Sequence, residues 1–173
     1  MNLVQALVAV LTAWFATLPA PAPEEPVAPP PPPGLAGDFV EFARGGPPPD
    51  LAERVSLLVQ GTPVRVLRGA EVQKRARWSV CPPMWTPGPR CGVSPLTVID
   101  SDRRNGIRTV VTRGDPAEPC LIAEVALPAW LVDMDQTVLQ PGSEMRSCAY
   151  NYAVRLFLDR GRIVAVDLVL TEP

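Results

Sequence analysis

NYAVRLFLDRGRIVAVDLVL, residues 151–170, is the stretch that decides the fold. NYAVRLFL and IVAVDLVL are alternating runs rich in β-branched and leucine residues, and the DRGR between them holds the glycine that a tight turn favours. The pattern predicts a β-hairpin. On its second arm Val164, Val166, Leu168 and Leu170 recur every second residue, so they are expected to form one apolar, core-facing side.

The same signals extend towards the N-terminus. VSLLV, bounded by Gly61 and Pro63, predicts a strand, and VRVL at 64–67 its hairpin partner. RWSVC predicts a strand leading into Cys81, and IRTVVT, after the tight-turn pair Asn105-Gly106, predicts another. Helix signals are fewer. Asp38 and Glu41 have the spacing of a capping box at the head of DFVEFAR, which GGPPP at 45–49 ends, and Asp50 with Glu53 repeats the signature before LAER. Residues 69–77, GAEVQKRAR, favour a short helix or a loop. Ser94-Pro95 has the form of an N-cap with proline at the first helical position, while PLTVID suits a helical turn and a strand equally. Residues 114–142 are punctuated by proline and show little periodicity. The sum is an α+β domain: an antiparallel sheet with one or two short helices on one face, braced by two disulfides.

The chain has 173 residues, enough for one ordinary domain of roughly 100–200 residues and too few for two. Leu3–Phe15, LVQALVAVLTAWF, has the length of a signal-peptide apolar region and is short for a membrane span of roughly 20 residues. Residues 1–18 are therefore read as a signal peptide or an uncleaved signal anchor. Nine prolines follow between Pro19 and Pro33. Proline fixes φ and lacks an N–H, so residues 19–37 are read as an extended linker, and 38–173 as the single folded domain. The remainder of the chain is expected to be extracytoplasmic, either secreted or held at the outer face of the cytoplasmic membrane. Lys74 is the only lysine among abundant Arg, Ala, Pro and Gly, a usage that suits a GC-rich bacterial genome.

Charge and composition exclude several functions. Of 16 basic and 18 acidic residues, only the acidic Glu24 and Glu25 precede Asp38, so the domain is formally neutral. Nucleic acid, which needs a concentrated positive footprint, is not an expected partner. There is no histidine. That absence removes Ser-His-Asp and Cys-His catalysis and every histidine-ligated zinc or haem site. Ser56, Ser79, Ser94, Ser101, Ser143 and Ser147 lack an imidazole base, and no phosphate-cradling glycine loop is present. DSDRRNG at 100–106 has the opening of a calcium loop, but Arg104 stands at the third ligand position and Val111 where a bidentate Glu is needed. Asp100, Asp102, Asp133 and Asp135 are accordingly expected to be solvated turn residues. Tyr150 and Tyr152, at strand spacing, are expected to cover a sheet face, with Trp130 another aromatic that could line a pocket. No enzyme activity, metal or cofactor is expected.

Cys81, Cys91, Cys120 and Cys148 form an even set in an apparently exported chain, where disulfides persist. None has C-x-x-C spacing. Of three possible pairings, Cys81 with Cys91 and Cys120 with Cys148 close loops between sequence neighbours, each contributing roughly 3 kcal/mol or slightly more in the chain-entropy account. CPPMWTPGPRC, 81–91, is then a disulfide-closed, proline-stiffened loop, and its Trp85 either packs over the bridge or anchors a partner.

With strands and cysteines in place, their order resembles that of the subtilisin-inhibitor-like family of secreted actinobacterial proteins. VSLLVQG, RWSVCPPMWTPGPRC, TRGDPAEPC and Cys148 carry the resemblance, across roughly residues 55–148. It implies the same disulfide pairing, first with second and third with fourth. It also implies that Cys120, Leu121, Ile122 and Ala123 form an inhibitory loop, with Ile122 in the primary pocket of an extracellular serine protease. The expected function is an exported, non-enzymatic binding domain that inhibits serine proteases; the alternative is a structural or accessory domain of the cell envelope, partnered by another envelope protein. The membrane is a partner only through an uncleaved N-terminus. Export predicts that the native protein has no thiol that alkylates without reduction. Four alkylatable thiols by intact-mass measurement, on a chain still beginning at Met1, would overturn the compartment argument.

Overall fold

The computed structural model describes residues 34–82, 92–113, 125–142 and 152–170. Eight elements organise them: α1 (Leu35–Ala43), β1 (Leu51–Val59), β2 (Thr62–Arg68), α2 (Pro95–Arg104), β3 (Thr109–Arg113), β4 (Asp135–Pro141), β5 (Tyr152–Asp159) and β6 (Arg162–Leu170). Short 3₁₀ turns stand at Gly69–Glu71, Arg75–Trp78 and Ala129–Leu131. The class is α+β. The six strands form one sheet in the order β2-β1-β6-β5-β4-β3.

The sheet is mixed, which corrects the expectation of a purely antiparallel one. β1 runs parallel to β6, with Leu57 opposite Val166 and Val59 opposite Leu168, while every other neighbouring pair is antiparallel. The chain lays β1 and β2 at one edge, crosses by way of α2 to β3 at the other edge, and returns through β4 and β5 to place β6 beside β1. No turn links β1 to β6, so no local signal announces their pairing.

The predicted hairpin is β5–β6, and its turn residues Arg160 and Gly161 have φ of 51° and 79°, the left-handed pair that a two-residue hairpin turn uses. Its register holds a correction. Asp159–Arg162 and Leu158–Ile163 pair in step, but the next pair is Phe157–Ala165, which leaves Val164 as the extra residue of a β-bulge. Beyond a bulge every side chain changes face relative to unbroken alternation. Ile163 therefore joins Val166 and Leu168 in the main core, while Val164 packs with Leu58, Phe157 and Ala165 on the opposite face. The single face expected from Val164 through Leu170 is split at this point.

Other local expectations yield to pairing. LAER is strand throughout, because Leu51 lies opposite Ile163 and the Ile163 amide donates to the Asp50 carbonyl at 3.0 Å. RWSVC contributes only an isolated bridge, Val80 to Val93, since Arg75–Trp78 turns as a 3₁₀ helix. α1 begins at Leu35 with Gly34 before it, so Asp38 lies in its first turn and caps nothing. Buried Ala36 and Gly37 belong to this helix, although the spacing of Asp38 and Glu41 would leave them in the linker. The open choice at PLTVID resolves as helix: Ser94 Oγ accepts from the Leu96 amide at 3.2 Å, and α2 continues through DSDRR to a C-cap at Asn105. β4, Asp135–Pro141, arises inside the stretch with little periodicity.

Both helices cover one face of the sheet. Phe39, Val40 and Phe42 of α1 and Leu96 and Ile99 of α2 join Val55, Leu57, Val154, Leu156, Val166 and Leu168 in the main core. At its centre Trp78 is fully buried, edge-on to Phe39 at 5.7 Å and to Phe42 at 5.8 Å, with Nε1 donating to the Val72 carbonyl at 2.9 Å. The other face is closed by residues 125–134: Leu131 packs on Leu58, Phe157 and Ala165, and Val125 on Val138, Ala153 and Val169.

That second face also buries a charge pair. Arg155 and Asp167, at 5% and 0% exposure, lie opposite each other on β5 and β6, with Nε and Nη2 donating to Asp167 Oδ2 at 3.2 and 2.9 Å. Removing one member of such a pair strands the other charge in the interior, at a cost of about 3–5 kcal/mol. Arg155→Met is therefore expected to lower unfolding free energy by about that amount. The double variant Arg155→Met/Asp167→Leu should recover most of it, short by about 1–3 kcal/mol for the Gly61 amide that Asp167 also accepts. Equal urea midpoints for wild type and Arg155→Met would sink this account.

Candidate functional site

Cys120, Leu121, Ile122 and Ala123 lie outside the described residues, as do Trp85, Cys91, Cys148 and Tyr150. What surrounds the loop is on view. β3 ends at Arg113, opposite Thr137 of β4, and the next described residue, Val125, packs against the cluster of Val138, Ala153 and Val169. Residues 114–124 thus connect the end of β3 to a residue packed on the second face of the sheet and over Gly61.

Cys81 is half-buried and takes part in a disulfide. Beside it Val80 and Val93 exchange two backbone hydrogen bonds of 2.8 Å, closing the base of the 81–92 segment. The partner of Cys81 and the pairing of Cys120 with Cys148 lie outside the described residues.

The second face holds the supports of the downstream side. Val59 and Thr62 close the β1–β2 turn around Gln60 and Gly61, both with positive φ, 49° and 74°. Three hydrogen bonds tie this turn to β6: Gln60 N to Leu168 O at 3.0 Å, Gln60 Nε2 to Leu170 O at 2.9 Å, and Gly61 N to Asp167 Oδ1 at 3.0 Å. Burial raises the Asp167 carboxyl above the usual carboxylate range, and the Gly61 amide and the Arg155 guanidinium both act against that shift. Val125 and Ala126 lie directly over Gly61.

A second buried polar group stands on the helix-covered face. Tyr152 Oη donates to Asp102 Oδ2 at 2.6 Å, joining the C-terminal half of α2 to the start of β5. Asp102 is thus buried in a helix, where a solvated turn is expected, while Asp100 on the same helix pairs with Arg103 and Arg104. Asp133 and Asp135 are both exposed; Asp133 stands in a turn, as expected, whereas Asp135 opens β4. Tyr152 does cover a sheet face, and Trp130 is 46% exposed beside Val132 at 61%. Burial pushes the Asp102 carboxyl up to about 6, against the lowering effect of the Tyr152 hydroxyl. The Tyr152 phenol is raised well above its ordinary range, first by burial and then by Asp102, with Arg44 acting the other way.

Neither buried carboxylate was visible as a pair in the sequence. Arg155 and Asp167 each interrupt an apolar run, which is a signal, but unbroken pairing outward from Asp159–Arg162 would set Arg155 opposite Val166. Only the bulge brings the charges together. Among the described residues no group of three or more Cys, Asp or Glu is placed to hold a metal ion, and no helix is long and apolar enough to cross a membrane. Comparison with protein-family models, curated proteins and solved structures finds no match.

The raised Asp102 carboxyl has a defined sign. Between the unfolded value of 3.8 and about 6, the folded state holds a proton that the unfolded chain releases. Stability therefore falls as pH rises through this window, by on the order of 3 kcal/mol, and then levels off. Urea midpoints at pH 4 and pH 7 should show this fall in wild type relative to Asp102→Asn; an identical pH profile in the two proteins would refute it.

Proposed function

We propose that the chain is an exported, non-enzymatic binding domain that inhibits an extracellular serine protease through residues 120–123. The observation that supports this best is that both ends of the segment 114–124 are held by one sheet: Arg113 lies opposite Thr137 of β4, and Val125 packs on the cluster of Val138, Ala153 and Val169 and over Gly61. A loop whose ends are held in this way loses little conformational freedom on entering a cleft, so more of the contact energy appears as affinity. Disulfides from Cys81 to Cys91 and from Cys120 to Cys148 extend the same restraint: the second ties the first residue of the loop to the chain just before β5.

Under this reading Ile122 fills the primary pocket and the protease addresses the Ile122–Ala123 bond. If that bond is attacked, the new amino terminus is Ala123, three residues before Ala126. With Val125 and Ala126 fixed, the amine stays near the acyl carbon, and religation competes with hydrolysis by water. The domain needs no catalytic residue of its own for this, which agrees with a chain that lacks histidine.

The full chain, titrated into a subtilisin- or chymotrypsin-like protease, is expected to block activity at one-to-one stoichiometry. Ile122→Asp, which puts a charge into an apolar pocket, should weaken inhibition by at least about 100-fold, taking an unpaired buried charge to cost several kcal/mol. Rapid cleavage with no inhibition at any ratio would end this proposal. In that case an envelope role on the proline-rich linker becomes the working alternative.

A further inference from the structure

The geometry points to a positioning site outside the loop itself: the Gln60–Gly61 turn, locked by Asp167 and Arg155, is the seat that fixes Val125 and Ala126. These residues follow 120–123 after the single residue Glu124, so this inference deepens the inhibitor reading and rests on it for its effect on inhibition.

The argument begins at Gly61. Its φ of 74° lies in the left-handed region, which glycine adopts without steric cost. Conformation is only half of the requirement. A Cβ at this position would collide with the Ala126 carbonyl oxygen and stand 2.7 Å from Val125 Cγ1. The turn backbone and the Val125–Ala126 backbone are thus in direct contact, at a distance that only glycine permits. Gly161, at φ 79° in the β5–β6 turn, has nothing within 4 Å of the same construction. The two glycines answer the same conformational demand, and only one of them bears a load.

A seat must also be stiff. The Gly61 amide donates to Asp167 Oδ1, Asp167 Oδ2 receives two bonds from Arg155, and Gln60 is bonded twice to β6. The turn at the tip of a hairpin, ordinarily the freest part of a sheet, is therefore coupled to the two innermost antiparallel strands, β5 and β6. Arg155 acts through Asp167, Asp167 through Gly61, and Gly61 through Val125 and Ala126. They are positioning residues, and the predicted order of effect follows that chain.

The test compares Gly61→Ala with Gly161→Ala in the full-length protein. Both place a side chain at positive φ, but only the first displaces Val125 and Ala126. Two readouts are taken: the inhibition constant against the serine protease, and the rate at which thermolysin, a protease of a different class, cuts within residues 120–127. Gly61→Ala is expected to be cut at least tenfold faster than Gly161→Ala and to inhibit at least tenfold more weakly, with Gly161→Ala within twofold of wild type in both. Equal cutting rates for the two variants would overturn the seat. Should Gly61→Ala not fold, Gln60→Ala carries the test, since it removes the Nε2 bond to Leu170; a cutting rate several times that of wild type supports the seat, and an unchanged rate overturns it. If no form of the protein inhibits but the cutting rates still differ, the inhibitor reading fails while the seat for Val125 and Ala126 stands.

Discussion

The parallel pairing of β1 with β6 is the contact that makes one sheet from two separate runs of chain. β1 and β2 close on each other locally, and β3 to β6 form a meander of their own. Without the β1–β6 ladder each would be a small sheet with an open edge and half a core. With it, β6 becomes an inner strand, buried on both faces from Ala165 to Val169, and the helices have one continuous surface to cover. Such a contact joins the two ends of the domain, so it incurs the loop-closure entropy of almost the whole fold before it is rewarded. The fully buried Trp78, set between α1 and the sheet, belongs to the part of the chain that must be in place when this happens.

The bulge at Val164 follows from the same constraint. β6 must satisfy β1 on one side and β5 on the other while its side chains serve two cores. A single extra residue shifts the phase of the strand, sending Ile163 to the helix side together with Val166 and Leu168, and Val164 and Ala165 to the other. Two-sided burial explains why an apolar strand as continuous as IVAVDLVL still holds one aspartate. Asp167 is tolerated at 0% exposure because Arg155 and the Gly61 amide satisfy it.

Legibility in the sequence tracks the range of the interaction. The β5–β6 and β1–β2 hairpins were legible because a turn and two alternating runs are contained in a few residues. The cap at Ser94 was legible as a choice between two outcomes, and tertiary packing of Leu96 and Ile99 decided it. The strand character of LAER, the isolated Val80–Val93 bridge and β4 were not, since each depends on a partner far away in the chain. For the candidate site only the resemblance to the subtilisin-inhibitor-like family nominates 120–123, and nothing local links that segment to Gly61, about sixty residues earlier. In the sequence, Gly61 is an ordinary turn glycine. Its second role exists only once β1, β6 and residues 125–126 are stacked.

A buried ion pair is seldom the most stable solution for a core position, because desolvation offsets most of its attraction. The placement of this one argues for a different use. An apolar pair between β5 and β6 would fill the space as well, yet it could not accept the Gly61 amide, and the β1–β2 turn would be held by Gln60 alone. Asp167 offers one oxygen to Arg155 and the other to the turn, so it converts the register of β5 on β6 into a fixed position for a loop on another strand. Rigidity at Val125 and Ala126 is thereby drawn from the most deeply buried strands, not from the surface edge where the segment 114–124 departs. Under the proposed inhibitor reading, in which binding depends on a loop shaped before its partner arrives, stability given up in the core is exchanged for order at the periphery.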